Sequence, residues 1–276
     1  MRNLPPYPYR FKILDSGSQI ESRRLHSRIK TFFAEAGRVC AMVRAALCSL
    51  CFPWPCVTCG ELQKYPDVLC ETCREKLPRI VAPFCRFCGS PFPESWRVDV
   101  CPDCRIRRPK LTRIRSAFLY EGTVMRMIRE VKFSRRARPL GYFAEELYVR
   151  LLSDLPPRIP AIGPVPLHKA RQWERTFDQS ALLAQYLGEL SGVPVKNLLR
   201  RVKPTRPQTL LSGQARRKNL DQAFRLRATG TVPRSVILLD DVVTTGATLE
   251  ACAAVLRKAG VRKVYGLTIA RAVLKP

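Results

Sequence analysis

Near the end of this chain Val236-Ile237-Leu238-Leu239 runs into Asp240 and Asp241, and after Val242-Val243 come Thr244-Thr245-Gly246-Ala247-Thr248. Each part suggests a chemistry. Backbone amides at the start of a helix lack partners and carry positive partial charge, so a loop of small residues there cradles an anion such as phosphate. The hydroxyls of Thr244, Thr245 and Thr248 add donors, while Gly246 and Ala247 let a ligand approach the backbone. Asp240 and Asp241 can accept hydrogen bonds from the vicinal hydroxyls of a sugar. Apolar strand, paired acids, hydroxyl-rich turn and helix, in that order, read as a cradle for a phosphorylated sugar. Acids that cap a strand and threonines in an ordinary turn would explain each part alone, but not their succession.

A second constellation is built from cysteine. Cys56-Val-Thr-Cys59-Gly60 is followed by Cys70-Glu-Thr-Cys73, and Cys85-Arg-Phe-Cys88-Gly89 by Cys101-Pro-Asp-Cys104. Two cysteines separated by two residues bring both sulfurs to one metal within a tight turn, which a glycine after the second helps to close. The repeat predicts two four-cysteine zinc ribbons, each holding a structural Zn2+. Gly60 and Gly89 follow only the first knuckle of each pair, which favours sequential pairing. The similar spacings also permit a cross-braced arrangement joining Cys56 and Cys59 to Cys85 and Cys88. Cys48-Ser-Leu-Cys51 lacks the glycine and lies in the apolar run Leu47 to Phe52, so it reads as buried, and Cys40 and Cys252 stand alone.

The elements that must hold these groups follow from pattern. Val236 to Leu239 suits a strand buried on both faces of a parallel sheet, and Leu249 to Lys258, ahead of Gly260, suits a helix packing back over it. The chain then reverses between Thr244 and Thr248, placing the acids at the carboxyl end of the strand, where open α/β sheets bind ligands. Upstream, a strand is expected over Ser116 to Tyr120, helices over Thr123 to Phe133 and Leu140 to Leu152, a strand over Ile159 to Val165 and a helix over Ser180 to Leu190. The loop after the Ile159 strand carries His168, Lys169, Arg171 and Arg175. Its three cations suit a diphosphate, whereas His168 reads as a local hydrogen-bonding group. From Lys196 to Lys218 there are eight basic residues and no acid. That stretch, with Lys203, Arg206, Gln208, Arg216 and Asn219 as its patterned positions, reads as a basic lid, as a seat for a single DNA strand, or as a solvated loop. The expected domains are a basic extension over 1–46, a double zinc ribbon over 47–110 and an α/β domain over 111–276.

Charge narrows the class of partner. The 276 residues include 49 Lys plus Arg against 22 Asp plus Glu, a formal net charge of +27. An excess of that size points to polyanionic company, although it is spread along the whole chain. Arg105, Arg107, Arg108, Lys110, Arg113 and Arg115 form a dense basic linker suited to phosphates. Met1 to Asp15 has no continuous apolar segment of the kind a signal peptide needs, which makes metal-bound thiolates a better reading of twelve cysteines than disulfides. Thr31 to Phe52 is interrupted by Glu35, Arg38 and Arg44, so no membrane span is expected and the expected compartment is the cytoplasm.

The acid pair with Thr244-Thr245-Gly246-Ala247-Thr248 closely resembles the phosphoribosyl diphosphate (PRPP) motif of type I phosphoribosyltransferases. With the cysteine-rich head, Val165-Pro166-Leu167, Arg175-Thr176-Phe177-Asp178-Gln179, then Gln208, Leu211, Ser212, Arg216, Asn219, Ala223-Phe224 and Ala270-Arg271, the chain resembles the ComF family over roughly Leu47 to Arg271. Where that family usually reads Arg-Gly-Phe-Asn-Gln, this chain has Thr176 and Asp178. The resemblance implies a type I phosphoribosyltransferase-like parallel sheet flanked by helices behind a small double zinc ribbon. It also implies PRPP with Mg2+ as ligand, transfer of a pentosyl group as the chemistry, and a link to natural competence and uptake of single-stranded DNA. The alternative within the same family is a non-catalytic DNA-handling adaptor or PRPP sensor that partners a DNA translocase or helicase.

Overall fold

The computed structural model describes residues 54–63, 67–133, 137–151, 155–156, 159–167, 177–203, 220, 222–227 and 231–273. The chain divides into two compact units, Met1–Glu71 and Thr72–Pro276. In the first, β1 (Trp54–Pro55) and β2 (Leu62–Gln63) form a two-stranded antiparallel ribbon with Trp54 opposite Gln63. The knuckle between them closes through the Gly60 amide on the Cys56 carbonyl at 2.9 Å, with Gly60 at φ +78°. The short helix α1 (Glu71–Glu75) follows.

The second unit begins with a loop-rich segment carrying the second cysteine repeat and α2 (Pro102–Ile106), then enters the α/β fold. β3 (Arg113–Leu119), β4 (Ile162–Pro164), β7 (Ser235–Val243) and β8 (Lys263–Arg271) form an all-parallel sheet in the order β3-β8-β7-β4. The helices are α3 (Gly122–Phe133), α4 (Arg138–Leu151), α5 (Gln179–Ser191) and α6 (Ala247–Lys258). Between them β5 (Leu199–Arg201) and β6 (Phe224–Leu226) pair as a separate antiparallel ladder. Every α/β element expected from sequence is present, with ends shifted by a few residues.

β7 is hydrogen-bonded along both edges, to β4 and β8, and its side chains meet protein on both faces. That explains an unbroken apolar run where a half-exposed strand would alternate, and Val236, Ile237, Leu238 and Leu239 are all fully buried. Successive strand residues face opposite sides. Val236 and Leu238 pack with Leu249, Cys252, Ala253 and Leu256 of α6, while α4 and α5 pack against the sheet and each other. Cys252 fits here simply as a buried small apolar group. The expected parallel sheet with flanking helices is thus in place.

β3 is an edge strand, yet its outer side is covered. The Ile80 amide donates to the Ala117 carbonyl at 2.9 Å, Leu119 donates to Pro78 at 2.8 Å, and Ile114 donates to Phe87 at 2.7 Å. Residues 78–87 therefore run along β3 as an irregular extra strand, with Arg79 bridged antiparallel to Phe118. Gly89 packs at the same place: a Cβ there would stand 2.6 Å from the Ile114 carbonyl oxygen. Two residues expected in a basic linker belong instead to this strand, Arg113 and Arg115. Arg115 is only 5% exposed; its guanidinium lies 4.7 Å over the Phe84 ring and donates to the carbonyls of Ile114 and Arg86. The segment running along β3 covers that cation, which braces the second cysteine repeat and is out of reach of phosphates. Arg105, Arg107, Arg108 and Lys110 are exposed, as the reading of a basic linker requires.

Among the described residues no helix is long and apolar enough to cross a membrane.

Candidate functional site

The strand carrying the acids is longer than its apolar run. β7 continues through Asp240 and Asp241 to Val243, because Asp240 pairs with Thr268 and Val242 with Ala270 across β8. The acids therefore sit within the last turnings of a central strand and are rigidly held. Just beyond, Gly246 adopts φ +76° and caps α6, and its carbonyl accepts from the Glu250 amide at 2.9 Å. A Cβ at Gly246 would have room, so the backbone conformation is what favours glycine. The Ala247 amide reaches the Thr245 hydroxyl at 3.4 Å, which folds the turn over the helix start. This places the amides that open a twelve-residue helix directly after the acid pair.

The two acids are in different electrostatic states. Asp240 Oδ1 accepts from the Ser180 hydroxyl at 3.2 Å and from the Asp241 amide at 2.9 Å. Burial pushes its carboxyl up to about 7, helped by the charge of Asp241. The Asp241 amide, Lys132 and Ser180 pull the other way. Asp241 Oδ1 accepts from the Val242 amide at 2.6 Å, and its Oδ2 forms an ion pair with Lys132 Nζ at 2.7 Å. Both side chains of that pair are 17% exposed. Burial thus favours the neutral form of one carboxyl, while its neighbour is oriented by an amide and a cation. Sequence reasoning missed Lys132 and the role of Ser180. Neither has a local signal: Lys132 looks like any cation in the last turn of a helix, and Ser180 like a helix-start residue.

Asp178 has a structural task. Its carboxylate caps α5, accepting from the Ala181 amide at 3.0 Å, and also takes the Leu167 amide at 3.3 Å. The departure at this position keeps the cap, since aspartate and asparagine serve it equally. Lys203 is exposed just past β5. Lys169, Arg171, Arg175, Arg206, Gln208, Arg216 and Asn219 lie outside the described residues, as do His168, Cys40, Cys48, Cys51 and residues 1–46.

The cysteines group sequentially. The sulfurs of Cys56, Cys59, Cys70 and Cys73 all lie within 4.8 Å of one another, and so do those of Cys85, Cys88, Cys101 and Cys104. Four thiolates about 2.3 Å from one ion stand roughly 3.8 Å apart at a tetrahedron's corners. The Cys59–Cys70 and Cys88–Cys101 sulfur separations are 3.7 and 3.6 Å, so both quartets fit Zn2+. Burial works to raise the Cys56 and Cys85 thiols, but backbone amides of each knuckle outweigh it and bring both down to about 7. Burial carries Cys88 up to about 12. Four clustered sulfurs repel one another as thiolates, and a divalent cation relieves that repulsion. Phe87 and Phe92 pack around the second quartet, with Phe92 stacked on Trp96 at 5.7 Å, so the aromatics here serve largely as filling. Arg271, 6% exposed at the end of β8, donates to the Cys88 carbonyl and ties this quartet to the sheet.

Residues 46–105 match the family model described as a double zinc ribbon domain. Competence protein F of Haemophilus influenzae is 33% identical over 229 residues, 80% of this chain and 98% of that protein. DNA utilization protein YhgH of Escherichia coli K12 is 31% identical, covering 71% of this chain and 87% of that one. Among solved structures, adenine phosphoribosyltransferase from Trypanosoma brucei is 12% identical, covering 51% of this chain and 67% of that one, with a TM-score of 0.31.

Proposed function

The chain belongs to the competence protein F family, and from that membership and the geometry of the acid pair we propose that it binds PRPP or a related ribose 5-phosphate in the service of DNA uptake. The observation that carries the reading is one continuous element: Asp240 and Asp241 held on a central strand, followed at once by the Thr244–Thr248 turn and the amino end of α6. The acids would take the ribose hydroxyls. The turn amides, with Thr244, Thr245, Gly246, Ala247 and Thr248, would surround the 5-phosphate. Lys169, Arg171 and Arg175 are assigned to the diphosphate, and Lys203, Arg206, Gln208, Arg216 and Asn219 to a basic lid or DNA contact. Magnesium arriving with the diphosphate would neutralise charge on the leaving group. Zinc in the two quartets is structural.

Titration calorimetry with PRPP and Mg2+ tests the reading. Heat of binding is expected for the native chain and is lost in the Asp240→Asn, Asp241→Asn double variant; a native chain that gives no heat overturns it. Diphosphate release across a panel of nucleobases then separates a pentosyl-transferring enzyme from a sensor.

A second reading, an adaptor for single-stranded DNA in partnership with a translocase or helicase, is favoured by the exposed cations Arg105, Arg107, Arg108 and Lys110 together with the +27 net charge. Binding that weakens steeply with salt supports it, and a flat salt dependence refutes it.

A further inference from the structure

We propose that Lys132, brought to the site by α3, is a further ligand-positioning residue of the sugar-phosphate site and makes that site select ribose over 2-deoxyribose; this rests on the sugar-phosphate reading above. The first observation is the path of α3. It starts three residues after β3 ends, at the carboxyl edge of the sheet, and its last turn delivers Lys132 to Asp241, near the carboxyl end of β7. A connecting helix ordinarily runs back along the sheet to its amino edge. Here both ends of the helix lie at the carboxyl edge, so α3 lies across it and forms a wall beside the acid pair. Its buried residues Val124, Met127, Ile128 and Val131 hold it there.

The second observation is the donor inventory. An ammonium has three N–H donors, and Lys132 directs one at Asp241 Oδ2, 2.7 Å away. Asp241 Oδ1 is engaged by the Val242 amide at 2.6 Å. The carboxylate is therefore fixed from both ends, yet each oxygen keeps a second lone-pair direction for a sugar hydroxyl. A hydroxyl that donates to Oδ2 comes within reach of the same ammonium and can accept from it. One oxygen then satisfies two charged groups that are both largely removed from water. A ligand lacking that hydroxyl leaves Lys132 and Asp241 facing a gap, and discrimination between a hydroxyl and its absence is strong where the protein groups are buried.

The test measures affinities of the full-length, zinc-loaded chain for ribose 5-phosphate and 2-deoxyribose 5-phosphate by calorimetry. The native chain should prefer ribose 5-phosphate by about tenfold or more, the loss expected for a charge-assisted hydrogen bond. Lys132→Met should weaken ribose 5-phosphate by a similar factor while barely changing the deoxy compound, so the ratio collapses toward one. Lys132→Arg should recover part of the ratio. A residue that merely fastens α3 would weaken both ligands equally and leave the ratio intact, which overturns the proposal. If Lys132→Met does not fold, Lys132→Gln is read in the same way. Failure of Met, Gln and Arg variants alike to fold makes the pair a clamp for the fold and also overturns it. A native chain that binds neither sugar phosphate defeats the sugar-phosphate reading and this inference together; native binding with an unchanged Lys132→Met ratio defeats this inference alone.

Discussion

Replacing Asp240 by asparagine should make the folded chain more stable at neutral and alkaline pH, although it removes a group at the heart of the candidate site. Burial raises the Asp240 carboxyl from an ordinary 3.8 to about 7. Between those values the folded chain keeps a proton that the unfolded chain has released. Stability therefore falls as pH rises through the window from about 4 to 7, and above it the penalty is complete. At about 1.36 kcal/mol per pKa unit the full penalty is about 4 kcal/mol. Water reaching the half-buried residue reduces the realised value to about 2 to 3 kcal/mol. Asparagine is neutral throughout, and its side-chain oxygen can still accept from Ser180 and from the Asp241 amide. Urea unfolding of the zinc-loaded native and variant chains, compared pH by pH, isolates the effect, because thiolate protonation is common to both. The stability difference should be about a quarter of its full value near pH 4.5 and grow in favour of Asn up to about pH 7.5. A variant less stable than the native chain at pH 8, or a difference that does not change with pH, would refute the electrostatic account of the pair.

Metal analysis should return about two zinc per native chain and about one in either Cys56→Ser or Cys85→Ser, while two retained in either variant would contradict the sequential quartets. Gly60→Ala should cost about 1 kcal/mol, since φ is +78° but nothing stands within 4 Å of an added Cβ. Gly89→Ala should cost at least twice that, because the same strain is joined by a 2.6 Å approach to the Ile114 carbonyl; equal thermal shifts for the two would show that the contact relaxes freely. Asp178→Ala should lose about 1 kcal/mol with the α5 cap and Asp178→Asn almost nothing, as read by chemical unfolding.

What the sequence made legible was whatever is encoded locally. β7 and α6 follow from an apolar run, a glycine turn and helical spacing, and the zinc quartets follow from knuckle spacing alone. The acid pair was found, but its electrostatic asymmetry was not, because that depends on Lys132 and Ser180. Lys132 lies 109 residues before its partner Asp241 and Ser180 lies 60 before its partner Asp240, so both reach the pair only through tertiary structure. The extension of β7 through both acids was missed for a related reason: polar residues were read as the strand's end, yet backbone pairing with Thr268 and Ala270 carries the strand on. Arg115 was misread because a run of cations suggests a surface, whereas the distant segment around Phe84 and Arg86 packs over β3 and buries this one. Asp178 is a departure from the family pattern whose task shows only in its partners, two amides.

The backbone of residues 78–87 lying along β3 bears on how this protein can be divided. A fragment beginning after the cysteine-rich head would keep all four sheet strands but bare the amides of Ile114 and Leu119 and the carbonyl of Ala117 on a flat apolar edge. Two such fragments could satisfy one another by pairing edge to edge. Residues 78–87 and the sheet are thus poor candidates for recombination as separate modules.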